Sequence, residues 1–288
     1  MTVDTTWGDR GVFRPREVGP RAAAAEAPWR LGPFADVPDT VLDAGRVGAL
    51  EVRAASTRGF AHRCDGDVRQ DAVGLSAPAG RVVLAAVADG VGAATDAHHG
   101  ARLAVRHALG YLAWAMPDGP LDGLLDAVDV AAAVHAADRA VGRAGPAPRH
   151  RSTTLTVAAV DVSPGAGGHA FRVARVGDSP AFVLAHGRFR ALFDDVEGEL
   201  HDPATDSLPA PAGPVERVAG VLAPGEALVL ASDGVGVPLR ETEAGAYLAD
   251  AWAEPPGPVA FLHQLQFNVR SYDDDRTAAV IWAGSESA

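Results

Sequence analysis

The chain has 288 residues, 48% of them hydrophobic and 22% charged, a composition able to bury a core and unlike that of a disordered chain. Its formal net charge is −12, its 25 basic residues are all arginine, and it holds one cysteine, Cys64. These values argue against broad binding to nucleic acid or anionic lipid, and they exclude an internal disulfide or a multi-cysteine zinc cluster.

Residues 1–45 are rich in Pro, Gly, Ala and Arg with little periodicity, and read as an extended or poorly ordered lead-in. The domain proper is expected over 46–288. A strand is predicted over 49–55. Residues 81–88 form a short continuous apolar run with β-branched content, ending at Asp89-Gly90, which favours a buried strand. Residues 95–116 carry an apolar stripe at helical spacing, and Pro117 to Pro120 stop it. A second helix is predicted over 121–141. Strands follow over 152–162, 169–176, 181–184, 188–193 and 227–231, separated by Gly, Pro and Asp signals. Residues 242–252 and 258–269 read as helices, and 276–282 closes the chain as an apolar strand. This order fits antiparallel sheets with helices packed outside them, an α+β layered domain.

Acidic motifs stand beside these strands: Gln70-Asp71, Asp89-Gly90-Val91-Gly92, Gly177-Asp178-Ser179, Ser232-Asp233-Gly234 and Asp273-Asp274-Asp275-Arg276-Thr277. In three of them an apolar strand delivers one Asp with a Gly directly beside it. A strand end holds a carboxylate in a fixed direction, and the Gly lets the backbone turn and bring a carbonyl close. Carboxylates that converge without a counter-charge repel, and at least one takes up a proton. Such oxygen-only donors suit Mg²⁺ or Mn²⁺ rather than zinc. Two such ions can acidify a shared water and clamp a phosphoryl group.

The order of Gln70-Asp71, Val87-Ala88-Asp89-Gly90, Ser152-Thr153-Thr154, Val176-Gly177-Asp178-Ser179, Ala231-Ser232-Asp233-Gly234 and Asp274-Asp275-Arg276-Thr277 resembles that of the metal-dependent PP2C (PPM) protein phosphatases, in their compact bacterial form. The resemblance covers about residues 52–283. It implies a central antiparallel β-sandwich flanked by α-helices, and hydrolysis of phosphoserine and phosphothreonine by water activated on two divalent cations, Mn²⁺ or Mg²⁺. By this likeness Asp89 bridges both ions, the Gly90 carbonyl binds one, and Asp233 and Asp274 bind the other. Asp178 and Asp233 hold a weaker third ion, and Asp71 hydrogen-bonds the activated water. The partners implied are a phosphoprotein substrate and an opposing Ser/Thr kinase, with no nucleic acid and no membrane. No apolar run approaches the roughly 18 residues of a membrane span, and the first residues lack the apolar core of a secretory signal. A cytoplasmic monomer is expected.

The sequence departs from the family pattern twice. Gln70 stands where many members have Glu, a neutral amide oxygen in place of a charged ligand. Gly66 stands where members often have a phosphate-binding Arg. Arg63, in preference to Arg69, is the candidate to grip the phosphate with its planar guanidinium, and His62, expected with it at a strand end, is the candidate proton donor to the leaving alkoxide. Residues 194–220, acidic and proline-containing, occupy the place of a variable flap. These departures keep a second reading open, a regulatory module of the same fold that binds phosphoproteins or a partner with little or no turnover. A serine hydrolase built on Gly177-Asp178-Ser179 lacks the downstream Asp-x-x-His that such enzymes need.

Overall fold

A computed structural model describes residues 15–19, 30, 37–92, 94–116, 129–145, 147–193, 206–209, 214–269 and 272–284. Among them, eleven strands build two antiparallel sheets. They are β1 (Thr40–Val47), β2 (Leu50–Thr57), β3 (Ala72–Ser76), β4 (Val82–Ala88), β5 (Leu155–Asp161), β6 (His169–Val176), β7 (Ala181–Ala185), β8 (Arg188–Ala191), β9 (Glu216–Leu222), β10 (Ala227–Ala231) and β11 (Arg276–Ala283). One sheet runs β1-β2-β11-β10-β7-β8 and the other β3-β4-β5-β6-β9. The helices are α1 (Phe60–Asp65), α2 (Ala97–Ala115), α3 (Val130–Arg143), α4 (Asp233–Glu241), α5 (Ala244–Ala251) and α6 (Pro258–Leu265).

The continuous apolar strands are explained by burial on both faces. In β4, Val83, Ala85 and Val87 point between the sheets, while Val82, Leu84 and Ala86 pack with α2 and α3. In β11, Ala279 and Ile281 enter the sandwich, and Ala278, Val280 and Trp282 meet α4 to α6 on the outer face of their own sheet. The result is four layers: α2 and α3, the five-stranded sheet, the six-stranded sheet, and α4 to α6. The expected helix-flanked β-sandwich is present.

Several elements differ from the expectation. β1 begins at Thr40, ahead of the boundary placed at 45, and pairs with β2 along its whole length. Much of 1–45, and the first part of the helix expected over 121–141, lie outside the described residues; the described helix α3 starts at Val130, where Asp129 caps it by accepting from the Ala132 N–H. The acidic run 194–205 also lies outside them. The end of the expected flap is strand β9, paired with β6. His62 and Arg63, expected at a strand end, lie in helix α1. It ends at Gly66, whose φ of 81° lies in the left-handed region and whose N–H bonds to the His62 carbonyl. A side chain at Gly66 would be strained by about 1–2 kcal/mol, so this helix end favours glycine over an arginine in that position.

Candidate metal centre

The acidic motifs meet at one end of the sandwich. β4 delivers Asp89 and Gly90, the turn after β6 delivers Asp178, the step from β10 into α4 delivers Asp233, and the turn before β11 delivers Asp274. Together with His62, Gln70 and Thr154 they line a cleft of about 170 Å³. The cleft thus joins residues from His62 to Asp274, far apart in the chain.

Backbone contacts set this arrangement. The Asp89 carbonyl accepts from the Thr154 N–H (2.8 Å) and from Thr153 Oγ1 (2.8 Å), and the Asp89 N–H donates to Thr154 Oγ1 (3.1 Å). Ser152-Thr153-Thr154 therefore has the structural role expected of it, as the strut that aims Asp89. The turn 273–275 is held by two close approaches. A Cβ on Gly59 would overlap the Asp273 carbonyl oxygen, and a Cβ on Gly234 would overlap that of Asp275. Only glycine lets α1 and α4 come that near to the turn.

The electrostatics are those of carboxylates crowded without cations. The Asp89 pKa is pushed well up, first by burial and then by the charges of Asp71 and Asp233; the Asp233 carboxyl is within hydrogen-bonding reach. Burial, then the charge of Asp275, lift Asp71 to about 8. Burial, then Asp233 and Asp275, lift Asp274 to about 6. Gln70 Oε1, Asp71 Oδ2 and Asp233 Oδ1 are buried with no hydrogen-bond partner among the described residues. Buried acceptors left unpaired are costly, and a hard divalent cation satisfies both the open oxygens and the repulsion. His62, Asp274 and Asp275 also place ligand-type atoms within 4.8 Å of one another, but His62 Nδ1 and both Asp275 oxygens are engaged with each other and with the Gly59 and Gln70 N–H groups, which leaves Asp274 as the donor of the three. The donor set fits divalent metal.

Of the sequence candidates, His62, Gln70, Asp89, Gly90, Asp178, Asp233 and Asp274 line the cleft. Asp71, 3% exposed, lies behind its wall with one oxygen open. His62 sits 2.9 Å from Asp275 through Nδ1. Burial works against its positive charge, but the hydrogen bond and charge of Asp275, with Asp274 and Asp67, outweigh it and raise the pKa to about 9.

Arg63 does not reach the cleft, a correction to its expected phosphate role. It is 3% exposed. Nε and Nη2 clasp Asp39 at 3.0 and 2.7 Å, and Nη2 also donates to Thr57 Oγ1 at 2.8 Å. The helical geometry of α1 causes this: consecutive residues point about 100° apart, so if His62 faces the cleft Arg63 faces the interior. Asp39, whose carboxyl burial alone would raise, is held below its ordinary pKa by Arg63, Thr40 and Arg58. Arg69, the lesser candidate, is also buried and donates to Ser56 Oγ and the Asp71 carbonyl. Arg63→Ala is expected to lower the unfolding free energy by about 1–3 kcal/mol, less than the loss for a fully buried pair because Asp39 keeps Arg58. Denaturant unfolding measures this, and unchanged stability would contradict the structural role.

The residue that sequence reasoning missed is Asp275, 2% exposed at the centre of the contacts around His62 and Gln70. The motif contained it, but nothing in the pattern told which of two adjacent aspartates faces inward. Ser179 is fully buried and 2.6 Å from Thr154 Oγ1, as a turn residue rather than a nucleophile. The stacked rings of His98 and His99 are not among the residues lining the cleft.

The family profile described as protein phosphatase 2C matches residues 58–267. No curated protein sequence matches the chain. Among solved structures, the PPM Ser-Thr phosphatase MsPP from Mycobacterium smegmatis, in complex with cacodylate, is 25% identical with a TM-score of 0.54, over 81% of this chain and 98% of that one. The serine/threonine phosphatase PstP/Ppp of Mycobacterium tuberculosis is 21% identical with a TM-score of 0.55, over 82% and 99%. The catalytic domain of PstP with two manganese ions is 22% identical with a TM-score of 0.54, over 82% and 99%.

Proposed function

The chain belongs to the protein phosphatase 2C family, and on that premise we propose that it hydrolyses phosphoserine and phosphothreonine in proteins with two divalent cations, Mn²⁺ or Mg²⁺. The observation that carries this reading is the cleft itself: Asp89, Asp178, Asp233 and Asp274 on its surface, with buried acceptor oxygens left open around it. Asp89, the Gly90 carbonyl, Asp233 and Asp274 would hold the two ions, Asp178 a third and weaker one, and Gln70 would offer an amide oxygen beside them. Bound there, the ions would neutralise phosphoryl charge and lower the pKa of the attacking water.

The chain's own groups do the rest. Asp71 offers its open oxygen as acceptor for a water proton. No arginine lines the cleft among the described residues, so His62 is the cationic group that faces the phosphate. With its pKa near 9 it carries its proton at neutral pH and passes it to the departing serine or threonine oxygen. The substrate would be a phosphoprotein opposed by a Ser/Thr kinase. No helix among the described residues is long and apolar enough to cross a membrane, and a cytoplasmic monomer is the setting we infer.

The test is turnover of a phosphothreonine peptide and of p-nitrophenyl phosphate by the purified chain, with Mn²⁺ or Mg²⁺ titrated in. Hydrolysis is expected only with metal present and is expected to stop on chelation. Tight metal binding without turnover of either substrate would refute the phosphatase reading in favour of a binding module.

A further inference from the structure

Asp274 and Asp275 are neighbours with opposite surroundings. Asp274 is exposed at the cleft, whereas Asp275 is buried and is not part of the cleft lining. Asp275 Oδ1 accepts from the Gly59 N–H (2.7 Å), just ahead of α1, and lies 2.9 Å from His62 Nδ1. Oδ2 accepts from the Gln70 N–H (2.5 Å) and, at longer range, from the Asp71 N–H (3.4 Å). One carboxylate therefore fastens the start of α1, the ring of His62, and the backbone from which Gln70 and Asp71 project.

We propose that Asp275 is the positioning residue of this centre: it turns the His62 ring so that Nε2 faces the Gln70 side-chain amide on the cleft wall (3.4 Å), and it pins the Gln70-Asp71 backbone beside the metal-binding groups. The proposal rests on the phosphatase reading for its catalytic part only. Asp275 acts through His62 and Asp71 and makes no contact with substrate.

The chemistry of the site requires an acceptor on both sides of this group. Its partners are the Gly59, Gln70 and Asp71 backbone N–H groups and an imidazole nitrogen, and a carboxylate has no proton to oppose any of them. An amide of the same shape does. Asp275→Asn directs its NH₂ either at His62 Nδ1, which must then give up its proton and present a lone pair, or at the Gln70 N–H, which then loses its acceptor. Either choice disturbs one arm of the clamp while keeping the volume of the side chain.

Asp275→Asn and His62→Gln are to be compared with the wild-type chain in two measurements. Mn²⁺ affinity by calorimetry is expected to fall about 10–100-fold in Asp275→Asn, the usual cost of losing a group that orients metal ligands. It should stay close to wild type in His62→Gln, which leaves the backbone arm in place. The second measurement sets a phosphoserine peptide, whose alkoxide needs a proton, against p-nitrophenyl phosphate, whose leaving group does not. In both variants kcat on the peptide is expected to drop about 10²-fold, with a smaller loss on the aryl ester and little change in KM. The double variant should lose no more of this leaving-group preference than His62→Gln alone. Equal losses on both substrates in His62→Gln, an additive loss of the leaving-group preference in the double variant, or an unchanged Mn²⁺ affinity in Asp275→Asn would overturn the proposal. If the wild-type chain hydrolyses neither substrate, the phosphatase reading falls, and the calorimetric arm alone decides the role of Asp275. If Asp275→Asn does not fold, Asp275→Glu, which keeps the charge but displaces both acceptor oxygens, takes its place in both measurements, with the same losses expected and the same outcomes overturning the proposal.

Discussion

Replacing Asp89 or Asp233 by Asn is expected to abolish phosphopeptide hydrolysis while the chain stays folded. Asp89 faces two other carboxylates: burial, then the charges of Asp71 and Asp233, raise its pKa. An amide of equal size keeps the packing but removes one charge from the set that would hold the cations. The loss in kcat/KM is expected to be on the order of 10³-fold, the scale seen when one preorganised electrostatic group is removed from a reaction centre. Stability should move the other way. Without metal, the carboxylates repel one another, so Asp89→Asn relieves strain and the metal-free midpoint of thermal unfolding should hold or rise. The strut from Thr154 is unaffected, because it binds the backbone of Asp89. Activity near that of the wild type in either variant would remove these residues from the chemistry.

The second large effect is on stability, through pH and metal together. Asp71 and Asp274 have folded-state pKa values of about 8 and about 6 against an ordinary 3.8, and Asp89 is raised as well. Between pH 4 and 8 the folded chain thus binds more protons at these groups than the unfolded chain. Stability from these groups is complete below the unfolded value and is lost as pH rises through the folded ones. His62, raised from 6.5 to about 9, acts in the same direction at higher pH. The metal-free protein should therefore unfold at lower temperature at pH 8 than at pH 5.5. Mn²⁺ competes with protons for the same oxygens, so its stabilising effect should grow over that interval. At a concentration 100 times its dissociation constant at pH 8, a single bound ion would add about 2.7 kcal/mol, or roughly 5–10 °C in Tm. Thermal melts with and without Mn²⁺ at the two pH values check this. A shift independent of pH would show that the ion binds elsewhere than on these carboxylates.

The same crowding accounts for two glycines beside the centre. Four carboxylate-bearing segments converge on a small cleft, and they approach that closely only where side chains are absent or minimal. Gly59 and Gly234 on either side of the turn 273–275 are the two, since any side chain there would strike the turn's backbone carbonyls.

Most of the layered fold was legible along the chain. β6 and β10 fall where their alternation and length place them, and α2 lies within the predicted helical stretch. Among the elements that escaped, which include β3 and α4, three show why. α1 spans only six residues, too few for a helical period to show. β9 has an exposed, mixed pattern that reads as loop until β6 pairs with it. β1, also largely exposed, lies in a stretch whose composition suggested a lead-in, and its identity comes from its register with β2.

The candidate centre divides in the same way. By itself the sequence determined that aspartates sit at strand ends with glycines beside them, because strand length, apolar content and turn chemistry are local properties written into consecutive residues. It also determined that the donors are oxygens and that the cations they suit are hard. Only the tertiary structure decided which way each side chain points. A rotation of one residue along α1 separates His62 in the cleft from Arg63 in an ion pair with Asp39, and one step along the turn before β11 separates an exposed Asp274 from a buried Asp275. Adjacent residues are alike in sequence terms, but the partners that fix their directions, Asp39 for Arg63 and Gly59, His62 and Gln70 for Asp275, come from distant segments, and those meet only when the sheets have packed.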